Sequence, residues 1–373
     1  MDTISAYVGL DVHKERISVA IAGSGRDGEV RLWGTIPNTA DAITKLMRKL
    51  IERHGTIEVV YEAGPCGYAI YRRLSAMKIV CRVVAPSRIP KRAGERMKND
   101  TRDAITLARL LRAGELSFIW VPDEVHEAMR DLVRARQAAS HDVRKARQRI
   151  QSFLLKYERR YQGKHWGTRH RTWLSNQSFE HAAQQIAFQT YLNAQEQAEA
   201  RRSSIDEQLR QLLPHWALAP VVDALQALKG IGLVIAISIV AEIGDFHRFT
   251  NPRQLMAFLG LVPGEHSSGS SIRPRGITKV GNTALRALLF EAAWCCRTTP
   301  KVGAWKLARR PEVPQAIKDV AWKAQVRLHK RYRALLARGK RSQVAITAVA
   351  RELLGFVWAI GRMACPAGQP AAA

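Results

Sequence analysis

Apolar residues recur with two different periods along this chain, and the change of period divides it. Up to about residue 118, short Val- and Ile-rich runs separated by polar or Gly turns predict strands at Tyr7–Val12, Ile17–Ala22, Val30–Thr35, Ile57–Glu62 and Ile79–Val84. Stretches with helical spacing predict helices at Ala40–His54, Tyr68–Met77, Pro90–Met97 and Thr101–Ala113. Three strands in succession, then strands alternating with helices, predict antiparallel hairpins first and parallel crossovers afterwards. The expectation for this part is an α/β domain.

A longer period follows. Val125, Met129, Leu132, Arg136, Ala139, Val143, Ala146, Ile150, Phe153 and Tyr157 keep an unbroken 4-3 spacing, a heptad seam with one polar member, Arg136. A looser helical segment runs from Phe179 to Leu213 and stops before Pro214. Two long helices about a basic turn predict a coiled-coil arm, folded back on itself or shared between copies. A two-helix piece of an ordinary bundle gives the same pattern. From Trp216 onward the chain reads as mostly helical, all-α, with a helix at Pro252–Leu259, a polar loop over 263–279 and helices resuming near Thr283. The predicted domains are therefore 1–118, 119–214 and 215–373.

Composition adds a partner. The chain has 373 residues, 59 Lys+Arg against 32 Asp+Glu, and a formal net charge of +27. With 46% hydrophobic residues it has enough apolar material for real cores, which excludes a wholly disordered basic tail. Such a charge points to a polyanion, with nucleic acid ahead of an anionic membrane surface. The charge is concentrated. Residues 134–171 carry 12 Lys/Arg against Asp142 and Glu158, and residues 301–341 carry 13 against Glu312 and Asp319. Arg134, Arg144, Arg147 and Arg149 on the arm are candidates for phosphate contact. Trp166 and Trp173 in the arm's turn suit base stacking or plain packing.

Five cysteines, Cys66, Cys81, Cys295, Cys296 and Cys365, form no CxxC pair and no disulfide framework. The first residues carry no basic stretch before an apolar run, unlike a signal peptide. The apolar run Ile231–Ala241 is too short to span a bilayer, and Val344–Ile360 is interrupted by Arg351 and Glu352. The expectation is a soluble cytoplasmic protein with no membrane association.

Four carboxylates stand at element ends. Asp11 closes the first strand in GLDVHK and Glu62 the fourth in VVYEAG; Asp100 and Asp103 open a helix in KNDTRDA, three residues apart. Oxygen donors grouped in this way are what Mg²⁺ takes, and two such ions clamp a phosphodiester transfer. Taken singly, each acid also reads as a helix cap or a surface residue. Farther on, LKGIGLV resembles a helix-hairpin-helix turn, in which Gly230 and Gly232 bring backbone N–H groups to a phosphate. A glycine turn between core helices looks the same.

Together these stretches resemble one family. GLDVHK, YEAGPCGY and MKNDTRDAITLARL are similar to the RuvC-like, RNase H-fold domain of the DEDD insertion-sequence transposases. The segment from Leu228 to Trp294, LKGIGLVIAISIV through LLFEAAW, is similar to that family's second domain along its length. The resemblance implies that Asp11, Glu62, Asp100 and Asp103 hold Mg²⁺, two ions, with no organic cofactor. It implies a serine nucleophile in the loop SSGSS: Ser268, directly before glycine, with Ser267 the alternative. Lys14, Arg273, Arg275 and Lys279 are then candidates for phosphate contact. Donor and target DNA, a bridge-type non-coding RNA and a homo-oligomer, dimer or tetramer, are the implied partners. Assembly of one protomer's acidic domain with another's serine domain is implied as well. Two rival readings remain at this point: a metal-dependent nuclease or junction resolvase with water as nucleophile, and a non-catalytic nucleic-acid-binding protein.

Overall fold

The computed structural model describes residues 4–25, 28–90, 100–265, 274–303 and 313–365. These fall into two compact units that meet in the chain at Val121 and Pro122.

The first unit is built on a five-stranded sheet of β1 (Ala6–Val12), β2 (Arg16–Gly23), β3 (Val30–Pro37), β4 (Ile57–Glu62) and β5 (Val80–Val84), in the order β3-β2-β1-β4-β5. As the pattern predicts, β1–β2–β3 are antiparallel and β1–β4–β5 parallel. The order is compatible with an RNase H-like arrangement. α1 (Ala40–His54) and α2 (Ala69–Ala76) belong to the core on one face, where Val8, Leu10, Val59 and Tyr61 meet Met47, Leu50 and Leu74. α3 (Asp100–Arg112) covers the other face with Ala104, Leu107, Ala108 and Leu111. The predicted helix Pro90–Met97 lies outside the described residues but for its first.

Among the described residues, the second unit is helical except for one ribbon. α4 (Glu124–Lys156) and α6 (Ala182–Leu212) pair along their length, with α5 (Thr168–Ser175) at the turn. Ion pairs Arg136–Asp206 and Arg147–Glu199 show that they run antiparallel. The buried stripe of α4 is Met129, Val133, Ala139, Val143, Ala146, Ile150 and Leu154. It leaves the strict heptad at both ends: near the start Val125 is exposed and Val133 replaces Leu132 inside, and near the end Leu154 replaces Phe153. Near its start α4 packs against the helix Leu233–Ile243 as well as α6, which turns a different face inward; near its end the shift follows the 3.6-residue turn. Arg136 is tolerated in the seam because Asp206 receives both its Nε (2.8 Å) and Nη2 (3.3 Å).

α7 (Ala219–Leu225), α8 (Leu233–Ile243), α9 (Pro252–Phe258), α10 (Thr283–Ala293), α11 (Gln315–Ala337) and α12 (Ser342–Ala364) form the largest core. Among the described residues α12 is the one helix long and apolar enough to cross a membrane. Its apolar face, Ile346, Val349, Leu353, Val357 and Ile360, is nevertheless buried in this core. Its Glu352 meets Arg327 (3.1 Å) and Arg331 (3.0 Å) of α11. The foot of α4 is fixed to α8: His126 and Arg130 both reach the Ala241 carbonyl at 2.9 Å.

Candidate functional site

The acids converge because of how α3 lies on the sheet. Gly9 of β1 faces α3; a Cβ there would stand 2.5 Å from the Ala108 amide nitrogen and closer still to the Ala104 carbonyl. Only glycine admits the helix at that distance. At the far end, Arg112 Nη1 donates to the carbonyl of Gly28, beside Gly23, which pairs with Ala6 at the start of β1. α3 therefore runs antiparallel to β1, with its N-terminus at the strand's C-terminal end.

That end carries the acids. Strand alternation puts Asp11 on the face of Gly9, toward α3, and Glu62 on the face of Val60, which packs with Leu107 and Leu111. The parallel register Leu10↔Tyr61 makes Asp11 and Glu62 neighbours one step farther along β1 and β4. Asp100 opens α3, and Asp103 follows one turn on, half-buried. Four positions distant in sequence are thus brought to one end of the sheet.

Two further residues hold this end, and sequence reasoning missed their roles. His13 Nε2 lies 3.0 Å from Asp11 Oδ2. Asn38 Nδ2 donates to the His13 carbonyl (2.8 Å) and reaches Cys66 Sγ (3.9 Å), tying the loop after Asp11 to the loop after Glu62. Nothing in the sequence singles out Asn38, because its partners are a backbone carbonyl and a distant thiol. Lys14 is exposed beside this end.

In the helical unit, the stretch expected as a polar loop contains a two-stranded ribbon, β6 (Pro263–Glu265) and β7 (Pro274–Ile277). Ser267, Ser268 and Arg273 lie between these strands, outside the described residues. Arg286 of α10 braces the ribbon's base. Its Nη1 donates to the carbonyls of Leu259 (3.0 Å), Val280 (2.6 Å) and Gly281 (3.2 Å), and its Nη2 to Thr283 Oγ1 (2.9 Å). Lys279 is exposed at the same base.

The glycine turn divides into two roles. Gly230 (φ 88°) presses against α10, where a Cβ would meet the Ala292 carbonyl group, so its need is packing. Gly232 has open space around it and starts α8 without a side-chain cap. It lines a cleft of about 950 Å³ with Arg210, Asp223 and Val234. On the arm, Arg144 and Arg149 are exposed. Arg134 is engaged by Glu242 (2.9 and 3.1 Å), and Arg147 by Glu199. Trp166 lies under the Arg147 guanidinium (4.8 Å), and Trp173 stacks on His170 within the arm-tip core. Packing accounts for both indoles here.

Comparison with known proteins gives the family. A DEDD transposase model of IS110 type matches residues 8–158, the stretch that holds all four acids. A model described as the IS116/IS110/IS902 transposase family matches residues 222–305. The transposase-type protein y4qE of Sinorhizobium fredii is 48% identical over 364 residues, 97% of this chain and 90% of that protein. The chain belongs to the IS110 family of DEDD transposases. A second relative of this IS110-family chain, the transposase for insertion sequence element IS1533 of Leptospira borgpetersenii, is 31% identical over 90% of the chain and 98% of its own length. The transposase for IS1111A of Coxiella burnetii is 48% identical over a 69-residue stretch, 18% of the chain. The family thus joins the acidic sheet end and the ribbon-bearing helical unit in one transposase.

Proposed function

We propose that this IS110-family transposase exchanges DNA strands in a Mg²⁺-dependent reaction through a covalent phosphoserine intermediate, guided by a bridge-type RNA. The observation that carries the reading is the meeting of Asp11, Glu62 and the first turn of α3 at one end of the sheet. The site suits a hard divalent cation. Its donors are carboxylates, the hard oxygen ligands that such an ion takes. Asp11, Glu62, Asp100 and Asp103 would hold two Mg²⁺ ions. When bound, the metal supplies Lewis-acid stabilisation of charge on the phosphate oxygens.

The rest of the chemistry belongs to the chain. The Oγ of Ser268, or of Ser267, attacks phosphorus. The Oγ–P bond forms, the P–O bond to the sugar breaks, and the departing sugar oxygen takes up a proton as the serine gives one up. The number of phosphate ester bonds is unchanged, so the strand is rejoined without ATP. Arg273, Arg275 and Lys279 balance the charge of the attacked phosphate. Lys14, Arg144 and Arg149 bind nucleic-acid backbone, with Arg134 and Arg147 held in place by their carboxylate partners. The N-terminus of α8 at Gly230–Gly232 adds backbone donors. An RNase H-like domain over 1–118, an arm over 119–214 and a serine-bearing domain over 215–373, assembled as a dimer or tetramer on DNA in the cytoplasm, complete the reading.

The test of guidance is to express the protein with its element's flanking DNA and sequence the RNA that co-purifies. One discrete species from the element's non-coding end, with loops complementary to donor and target, supports the reading. Heterogeneous cellular RNA overturns the RNA part of it. Strand exchange that proceeds in the presence of chelator overturns the metal part.

A further inference from the structure

The helical unit holds a second cluster of metal-binding side chains that shares no residue with the acidic sheet end. α8 stops at Gly244, whose N–H bonds the Val240 carbonyl. In the turn that follows, Asp245 Oδ1 accepts from the backbone N–H of His247 (2.7 Å), which fixes the two residues side by side. The last turn of α12 is brought against them by Gly361. A Cβ on Gly361 would run into the ring of Phe246, which is fully buried. Cys365 follows one turn later, its N–H on the Gly361 carbonyl (2.8 Å). One donor atom each from Asp245, His247 and Cys365 lies within 4.8 Å of the other two.

The donor set is one sulfur, one imidazole nitrogen and one carboxylate oxygen. Such a mixed set is wrong for Mg²⁺ and right for Zn²⁺ or a similar borderline ion. Donors about 2.0–2.3 Å from one tetrahedral zinc stand about 3.3–3.8 Å apart, so a closure of about 1 Å completes the geometry. One thiolate and one carboxylate neutralise a divalent charge. We propose that Asp245, His247 and Cys365 bind a Zn²⁺-class cation that clasps the end of α12 to the α8–α9 turn, with a solvent molecule in the fourth position. The inference is independent of the strand-exchange reading.

The experiment uses full-length protein without a polyhistidine tag, stripped with chelator and dialysed against Zn²⁺ or Co²⁺. Beyond any ion held at the acidic sheet end, wild type retains one metal per chain that the variants below lose, and its Co²⁺ form shows a thiolate-to-metal charge-transfer band. Cys365→Ser and His247→Ala each lose the band and weaken binding by at least about tenfold, the size of effect seen even for outer-shell partners. Alkylation of the wild type provides a check that needs no variant to fold: Zn²⁺ slows labelling of Cys365 and leaves the exposed Cys295 unchanged. Absence of the band, metal retained equally by both variants, or Cys365 labelled at one rate with and without Zn²⁺ each overturn the proposal.

Discussion

Gly9 and Ala108 stand so close that a methyl group on Gly9 would come within 2.5 Å of the Ala108 amide nitrogen. This contact sets the height of α3 above the sheet, and so the distance from Asp103 to Asp11. Gly9→Ala forces α3 outward. Overpacking of this kind costs about 1–3 kcal/mol, so a lower melting temperature is expected together with loss of strand exchange. An unchanged melt with full activity would mean that the seat of α3 does not position the site.

Asn38 ties the loop after Asp11 to the loop after Glu62. Asn38→Ala removes its bond to the His13 carbonyl and its reach to Cys66 while leaving every acid in place. Strand exchange should fall, and the Mg²⁺ concentration needed for half-maximal rate should rise, with nucleic-acid affinity unaltered. A purely structural role would lower the melting temperature and leave the Mg²⁺ requirement where it was.

Glu199 makes the arm sensitive to acid. Burial alone would raise its pKa, but hydrogen bonds from Arg171, Arg147 and Gln195 outweigh that and hold it below its ordinary value of 4.5. A carboxylate lowered by folding contributes stability above its unfolded value and loses it as pH falls through the folded one. Melts of the wild type should therefore drop more steeply below about pH 4.5 than melts of Glu199→Gln. Parallel pH curves would show that the Arg147–Glu199–Arg171 group does not support the arm.

Arg286 holds the base of the serine ribbon by donating to three carbonyls. Arg286→Gln leaves them short of a charged donor, a loss of about 1.5–3 kcal/mol per strong bond at most. Limited proteolysis should cut the variant faster within 263–277 than elsewhere. Equal cutting of variant and wild type would remove Arg286 from this role.

The sheet was legible because its strands are short, β-branched and bounded by turn residues: the predicted Tyr7–Val12 and Ile57–Glu62 match β1 and β4 within a residue. The acids were legible as residues, since each ends or begins an element. Their convergence was implied by the family resemblance but not fixed by spacing, because it depends on the direction of α3, which is set by Gly9 and by Arg112 reaching Gly28. Arg136 is legible as the polar member of the heptad, but its partner Asp206, seventy residues on, is not. The ribbon at 263–277 was hidden because its strands are three and four residues long and contain Pro and Gly, which speak for a loop. The Asp245–His247–Cys365 cluster had no signal at all, since its spacing of 2 and 118 residues matches no metal motif.

The central claim, that the acidic sheet end and a serine act in one strand-exchange reaction, is tested most directly by trapping the covalent intermediate. Wild type, Asp103→Asn and the double variant Ser267→Ala/Ser268→Ala are incubated with labelled donor DNA and Mg²⁺, denatured, and resolved for protein–DNA adducts. The account predicts an adduct with wild type alone, and strand cleavage in neither variant. Cleavage persisting without the two serines would make water the nucleophile and the protein a nuclease; an adduct undiminished in Asp103→Asn would separate the acids from the chemistry.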